Sequence, residues 1–333
     1  MIGYYIHHCG HGHLARAGSV AAAAGEPVVA LSSLPEPAAG HPFAGWITLA
    51  PDAPIEQPAD GQAGGALHWA PLNSDGYRLR MRQLSGWVAA ARPRLVVVDV
   101  SVEVTALLRL LAVPVVVVAG AGRRGDDAHR LAYQMAARII APWPREILQP
   151  GYLAPFGDAV SYVGAFSRYD HRPVSPSPGR RRVLLLLGSG GAQIAGSALE
   201  SVRAATPGWT WTGLGGADLP WSSDVWGELQ AADVVVTHAG MNALAEVAAA
   251  RRPAVVIPQP RPFDEQHATA QALRDGGLAT TLEAWPGAGE WEAILADTLD
   301  RGGASWEHWN DGCGSRRFAQ CLARTRAGAS HGS

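Results

Sequence analysis

The residues from Thr237 to Gln266, THAGMNALAEVAAARRPAVVIPQPRPFDEQ, bring together groups suited to an elongated anionic ligand. His238 and the backbone N–H groups after Gly240 fall at a predicted helix start, where orphan donors and the helix dipole favour a diphosphate. Glu246, further along that helix, is placed to accept both hydroxyls of a ribose. Glu265 and Gln266, in the loop after the next apolar run, could read sugar hydroxyls, and Pro258, Pro260 and Pro262 stiffen the approach. Any one of these residues has an ordinary explanation as a cap or loop residue; the set, in this order and spacing, carries the reading.

Three other stretches hold candidate chemistry. In HHCGHGHLARA (7–17), Gly10 and Gly12 allow a tight turn and close approach of a ligand to the backbone, with His11 between them. His13 falls at the start of the following helix, whose positive end disfavours imidazolium and so favours a proton acceptor. The alternative is a plain strand-to-helix turn. Asp99 ends the apolar run of LVVVDVSVEV (95–104). There it could fix the His13 tautomer and stabilise the imidazolium that forms, or it could simply cap the next helix, with Glu103 a turn later. In LLLLGSGGAQIAG (184–196), Gly188, Ser189 and Gly190 offer backbone N–H groups to a phosphate, without the full dinucleotide-binding spacing. The histidine cluster of His7, His8 and His11 comes with no spaced carboxylate or cysteine set, so no metal site is expected. RGDDAH (124–129) comes nearest to an acidic metal motif and reads as an exposed helix start.

Composition narrows the classes. The chain has 333 residues, 47% hydrophobic, with a formal net charge of −2 and no basic excess to track nucleic acid. All 27 Lys-plus-Arg residues are arginine. That excludes a Walker-type phosphate loop and Schiff-base chemistry, both of which need lysine. Cys9, Cys313 and Cys321 form neither a CxxC pair nor an even framework, which fits a reduced cytoplasm. The first residues turn polar too soon for a signal peptide. The longest apolar run, VPVVVVAGAG, is far short of the ~18–20 residues of a membrane helix.

These groups need a scaffold to position them. Short β-branched runs at 2–6, 27–31, 95–100, 113–118 and 138–142 alternate with Ala-rich helical stretches, which indicates a parallel sheet covered on both faces. The pattern breaks at the Pro-, Ser- and Arg-rich 164–182 and restarts with strands at 182–188, 209–213 and 233–238. The expected organisation is a first Rossmann-like domain (1–166), a linker (167–181), a second Rossmann-like domain (182–312), and a final helix and tail (313–333) that packs back on the first domain. Doubly wound sheets bind ligands at the carboxyl ends of their strands, so two such domains would face each other across a cleft.

At this point the sequence resembles the GT-B glycosyltransferases, the group containing the lipid II-forming N-acetylglucosaminyltransferase and the UDP-glycosyltransferases of natural-product pathways. The shared pattern is His-x-Gly-x-Asn, an internal Glu, a Pro loop, and an acidic residue before Gln. The turn GHGHLARA resembles the family's acceptor-side Gly-His turn, and GSGG its phosphate loop. The resemblance implies that His238, Gly240, Met241 and Asn242 contact the diphosphate, Glu246 the ribose, and Glu265 with Gln266 the transferred sugar. It makes His13 the general base, with Asp99 its partner and Gly12 and His11 on the acceptor side. Ala243 stands where many relatives have Ser or Thr, so one phosphate contact must come from backbone. Glu265 replaces the commoner Asp, which bears on the donor sugar.

The implied reaction is inverting, metal-independent transfer from a UDP- or dTDP-sugar to a hydroxyl of a small-molecule or lipid-linked acceptor, with no cofactor. Alternatives on the same fold are a nucleotide-sugar hydrolase, an epimerase, or a non-catalytic nucleotide-sugar-binding subunit. The expected location is cytoplasmic, with a peripheral membrane contact possible. Residues 41–80, rich in Pro and Gly, should supply acceptor-facing loops, where Trp46, Trp69 and Trp87 either stack on an acceptor or pack.

Overall fold

Strands that read as unbroken apolar runs must be buried on both faces, and here they are. In a computed structural model, described for residues 1–8, 11–38, 40–52, 60–188, 196–216 and 219–325, the chain divides into two units. One comprises Met1–Pro142, Pro150–Val163 and Ser315–Ser333, the other Trp143–Gln149 and Gly164–Gly314.

The first unit runs β1 (Ile2–Ile6), α1 (His11–Ala23), β2 (Val28–Ser32), β3 (Gly45–Thr48), α2 (Asp75–Ala91), β4 (Leu95–Asp99), α3 (Val102–Leu110), β5 (Val115–Val118), α4 (Asp127–Met135), β6 (Arg138–Ala141) and β7 (Val160–Tyr162). All seven strands are parallel, in the order β3-β2-β1-β4-β5-β6-β7. The order reverses between β1 and β4, with Ile6 paired to Asp99 at their ends. Such a reversal opens a crevice at the carboxyl ends of the strands, because the two connections leave in opposite directions. The sheet centre admits no slack: a Cβ on Gly3 would lie 2.6 Å from the Trp87 ring. Trp87 is therefore a packing residue.

The second unit runs β8 (Arg182–Leu186), α5 (Gly196–Ala205), β9 (Thr210–Leu214), α6 (Val225–Ala231), β10 (Val234–Thr237), α7 (Met241–Ala249), β11 (Ala254–Val256), α8 (Glu265–Asp275), β12 (Thr280–Thr281) and α9 (Trp291–Arg301). Its parallel sheet has the order β12-β11-β10-β8-β9. Here the reversal falls between β8 and β10, the strands that lead into Gly188 and His238. The core packs Val183, Leu185, Val234, Val236 and Val255 against Trp209, Trp211 and Trp291. The last helix, α10 (Gly314–Arg324), ends in the first unit, where Arg94 Nη1 donates to the carbonyls of Leu322 (3.0 Å) and Thr325 (2.9 Å).

Several expectations change. β3, β7 and β12 have no counterpart in the sequence reading. Two of them are outermost strands of the first sheet and the third is a two-residue edge, so none shows a continuous apolar run. Residues 41–80 are not all loop, since they hold β3 and the start of α2. Trp46 donates its indole N–H to the Leu34 carbonyl (3.2 Å) and Trp69 to that of Asp52 (2.9 Å), so both brace this segment. The Pro- and Ser-rich stretch read as a linker is tethered at both ends within the second unit. Asp170 accepts from the Ser167 N–H and from Asn310, and buried Asp233 accepts from Ser177, Gly179, Arg180 and Arg182.

Candidate active site

In the first unit, the β1/β4 reversal gathers His13, Asp99 and Arg16. His13 is the third residue of α1, and Arg16 follows one turn later on the same side, the spacing that brings i and i+3 together. Asp99, the last residue of β4, is fully buried. Its Oδ1 accepts from Arg16 Nη1 at 2.8 Å and lies 3.1 Å from His13 Nδ1. The His13 approach is close but misaligned for a hydrogen bond, and Nδ1 is otherwise without a partner among the described residues. A small ring rotation would align it. Burial opposes ionisation of Asp99, but Arg16 and then His13 outweigh it and hold the carboxyl below its usual value.

The alternative role for Asp99, capping the next helix, is overturned. Ser101 is the N-cap of α3, and its side chain accepts the Val104 N–H at 3.2 Å. Between them Val100 has φ 66°, a left-handed conformation that a β-branched residue rarely adopts. That turn separates Asp99 from the cap and leaves its carboxylate to Arg16 and His13. Strain of this kind costs ~1–3 kcal/mol and persists only where surrounding structure enforces it. Glu103 is a strut: it accepts the N–H groups of His68 (2.8 Å) and Trp69 (2.9 Å) and the Ser101 hydroxyl (2.9 Å).

His7 and His8 follow β1 with stacked rings, centroids 4.8 Å apart, and His7 lies 5.7 Å from His13. Burial, then the neighbouring His13 and His8, push the His7 pKa down to about 3, so the ring is neutral. Gly12 lies in the first turn of α1. Gly10 and the His11 side chain lie outside the described residues.

RGDDAH is the exposed helix start the sequence indicates, with Asp126 the N-cap of α4 and Asp127 its first residue. Asp127 is exposed and pairs with Arg130. Asp126 caps α4 by accepting the His129 N–H (3.0 Å) and also meets His129 Nδ1 (2.5 Å) and His68 Nε2 (3.0 Å). His68, Asp126 and His129 each place a ligand atom within 4.8 Å of the others, the geometry of a cation site. Arg124 Nη1, however, sits 3.2 Å from His129 Nε2, so that nitrogen accepts and Nδ1 carries the proton toward Asp126. A metal on Nδ1 would have to displace both contacts.

In the second unit, β10 delivers His238 and α7 begins at Gly240, an N-cap with no side-chain acceptor. The first amides of α7, including those of Met241 and Asn242, are thus left to a ligand or solvent. A Cβ on Gly240 or on Gly188 would meet no atom of the described residues within 4 Å. Ser189 and Gly190 lie outside the described residues. His238 Nδ1 donates to the Ile257 carbonyl at 2.8 Å, which leaves the buried Nε2 unpartnered among the described residues and available to a ligand. Burial, against the pull of that carbonyl, lowers the His238 pKa. The Met241 Sδ accepts from the Thr269 hydroxyl at 4.0 Å, a contact that ties α7 to α8.

Glu246 is mostly buried and accepts from Arg168 Nε at 3.0 Å. Burial raises its pKa despite Arg168. Gln266, 6% exposed, accepts the Gln259 N–H at 3.0 Å, so its carbonyl oxygen holds the Pro loop in place. Glu265 opens α8 after Phe263 (φ 60°) and Asp264 (φ 57°), two consecutive left-handed residues with no glycine. A loop so constrained fixes where Glu265 starts.

Sequence reasoning missed Arg16 and Arg168. Arg16 had a signal, its one-turn spacing from His13. Arg168 had none, since it lies in a stretch whose composition reads as linker.

Residues 219–285 match the model of the glycosyltransferase family 28 C-terminal domain. The matched segment spans α6 through β12 and so includes His238, Gly240, Glu246, Glu265 and Gln266. Over 171 residues the chain is 32% identical to the UDP-N-acetylglucosamine–N-acetylmuramyl-(pentapeptide) pyrophosphoryl-undecaprenol N-acetylglucosamine transferase of Rubrobacter xylanophilus, covering 44% of this chain and 51% of that protein. The Sorangium cellulosum transferase of the same name is 31% identical over 200 residues, 52% of this chain and 48% of that one. The chain thus spans about half the length of these relatives. Among solved structures, the glycotransferase of kitacinnamycin superposes with a TM-score of 0.70 at 18% identity, covering 98% of both chains. MurG of Acinetobacter baumannii gives 0.62 at 13% identity, covering 97% of this chain and 99% of that one. These likenesses show that the fold is GT-B.

Proposed function

We propose that the protein transfers a sugar from a nucleotide diphosphate sugar to an acceptor hydroxyl, with inversion and without a metal. The observation that carries this reading is that each sheet's reversal point holds one half of the required chemistry. The first has a histidine backed by a buried carboxylate; the second has an uncapped helix start, a histidine and a carboxylate. In this reading His13 Nε2 removes the acceptor proton, because Nδ1 faces Asp99. The acceptor oxygen bonds to the anomeric carbon as the bond from that carbon to the β-phosphate oxygen breaks. The nucleoside diphosphate leaves with the electron pair, its charge met by the α7 amides. Base assistance of this kind contributes about 10²–10⁴-fold.

Glu246 takes the ribose hydroxyls, and Glu265 with Gln266 lies toward the transferred sugar. A UDP- or dTDP-sugar is the expected donor: the named Rubrobacter and Sorangium relatives are UDP-N-acetylglucosamine transferases. No helix among the described residues is long and apolar enough to cross a membrane.

The test is a panel of nucleotide diphosphate sugars incubated with the purified protein in EDTA, first without acceptor. Slow nucleotide release from one donor, lost in His13→Ala, supports the transferase. Fast release of free sugar makes the protein a hydrolase. Failure of every donor to bind or turn over removes the reading of the 237–266 segment.

A further inference from the structure

The turn at 167–170 lies in a stretch whose composition reads as linker, yet it is clamped to α7 at two adjacent residues. Asp170 accepts the Ser167 N–H (3.0 Å) and the side-chain amide of Asn310 (2.8 Å), and that amide also donates to the Ala245 carbonyl at 3.4 Å. One residue further along α7, Glu246 accepts from Arg168 Nε at 3.0 Å. The Arg168 guanidinium lies over the Tyr169 ring, 4.7 Å from its centroid. Tyr169 is itself buried, and its N–H is held by the Ser167 hydroxyl at 3.1 Å. A half-exposed arginine is ordinarily a loose partner. This one is stiffened by a ring face and by a turn tied to the helix it contacts.

Glu246 needs such a partner. Its side chain is 15% exposed, and burial favours the neutral acid, which gives up an acceptor position to its own proton. β10, against which α7 packs, contributes no ionisable side chain. The 304–308 turn also packs on α7, with its Glu307 and His308 exposed to solvent. Tyr169 faces Glu246 from the same turn as Arg168, and its hydroxyl is pushed up by burial and then by the Glu246 charge. The cation that opposes neutralisation of Glu246 is Arg168. An ionised carboxylate has about four acceptor positions, of which Arg168 Nε takes one, so two ligand hydroxyls still fit.

We propose that Arg168 is a positioning residue for donor recognition: it acts through Glu246, holding that carboxylate in the orientation that accepts the ribose hydroxyls. This rests on the transferase reading above, in which Glu246 takes the ribose, and deepens it by assigning what keeps that carboxylate competent. Arg168 then matters chiefly to a ligand that carries the hydroxyls Glu246 reads.

The test is calorimetry on the full chain with UDP, GDP, ADP and 5-methyl-UDP against their 2′-deoxy and 3′-deoxy counterparts, in the wild type, Arg168→Ala and Arg168→Lys. For the best-bound nucleotide, removing one ribose hydroxyl is expected to weaken wild-type binding about tenfold or more. In Arg168→Ala the intact nucleotide should bind more weakly, and the penalty for the missing hydroxyl should shrink to about threefold or less. Arg168→Lys, which keeps the charge, should restore part of that penalty. Between pH 8 and pH 6 the penalty should shrink further in Arg168→Ala, because unopposed burial lets Glu246 take up a proton at higher pH. The ratio of intact to deoxy nucleotide cancels the titration of the phosphate. On a Glu246→Gln background, Arg168→Ala should have little further effect. Intact and deoxy nucleotides weakened alike by Arg168→Ala, or a full effect of Arg168→Ala without Glu246, would place Arg168 on another part of the ligand and overturn the proposal. Binding that Arg168→Ala leaves unchanged also overturns it. If neither hydroxyl matters to the wild type, Glu246 does not read the ribose and the proposal falls with that assignment. Binding of none of these nucleotides is a failure of the nucleotide-sugar reading itself, distinct from all of these.

Discussion

The two reversal points solve the same problem, holding charge next to a ligand, by opposite means. In the first unit the charges belong to side chains and are already neutralised: Asp99 by Arg16, Asp52 by Arg80. In the second the available charge is partial, carried by the backbone at the start of α7, and no atom of the described residues lies within 4 Å of a Cβ built on Gly240. The difference matches the proposed roles. A diphosphate would bring its own negative charge and need donors that cost nothing to leave solvated. A base would need its companion carboxylate kept ionised inside the protein, which the Arg16 charge favours at Asp99.

The largest effect that would test this contrast is on turnover. His13→Ala should lower kcat by about 10²–10⁴-fold with donor affinity nearly intact, since base assistance acts in the transition state. An equal loss of donor binding would erase the separation of the two sites. Next comes stability. Arg16→Ala leaves Asp99 buried and unpaired, and removing one member of a buried pair costs about 3–5 kcal/mol. A lower thermal midpoint is expected, with partial recovery on adding Asp99→Asn to the same chain. The matching change in the second unit, Arg168→Ala, touches a half-exposed arginine and should cost far less.

A third prediction concerns the donor alone. Glu246→Gln should raise the donor KM about 10-fold or more, as expected for a lost hydrogen bond to a charged group worth roughly 1.5–3 kcal/mol. It should leave the acceptor KM in place. The smallest effect is on pH dependence. His129, held neutral by burial with a pKa down to about 4, binds more protons unfolded than folded between its ordinary value near 6.5 and about 4. Stability should therefore fall as pH drops through that range. His129→Asn should flatten the dependence, and denaturant titrations at pH 7 and pH 4.5 would measure it. A slope that persists unchanged would assign the acid sensitivity elsewhere, with His7 the next candidate because its pKa is lowered to about 3.

The site on the second unit was legible because its parts are contiguous. One strand, one turn, one helix and one loop carry His238, Gly240, Glu246 and Gln266, so order and spacing along the chain survive folding. Even there the roles were under-specified: the carbonyl of Gln266 is engaged with Gln259 and Glu246 with Arg168. The site on the first unit was legible only in its endpoints. Asp99 ends an apolar strand and His13 lies in the first turn of a helix, and no local pattern links the two.

The sequence by itself determined the strand–helix alternation, the restart of that alternation after 164–182, and the residues of the α7 start, because hydrophobic period and glycine placement act locally. The tertiary structure decided which strands are neighbours. β1 lies beside β4 and β8 beside β10, pairings between segments far apart in the chain, and those choices make His13 face Asp99. It also decided that Ser101 rather than Asp99 caps α3, through the left-handed turn at Val100. Long-range pairing and a single strained dihedral leave no trace in spacing, since both are set by contacts that exist only once the sheet has closed.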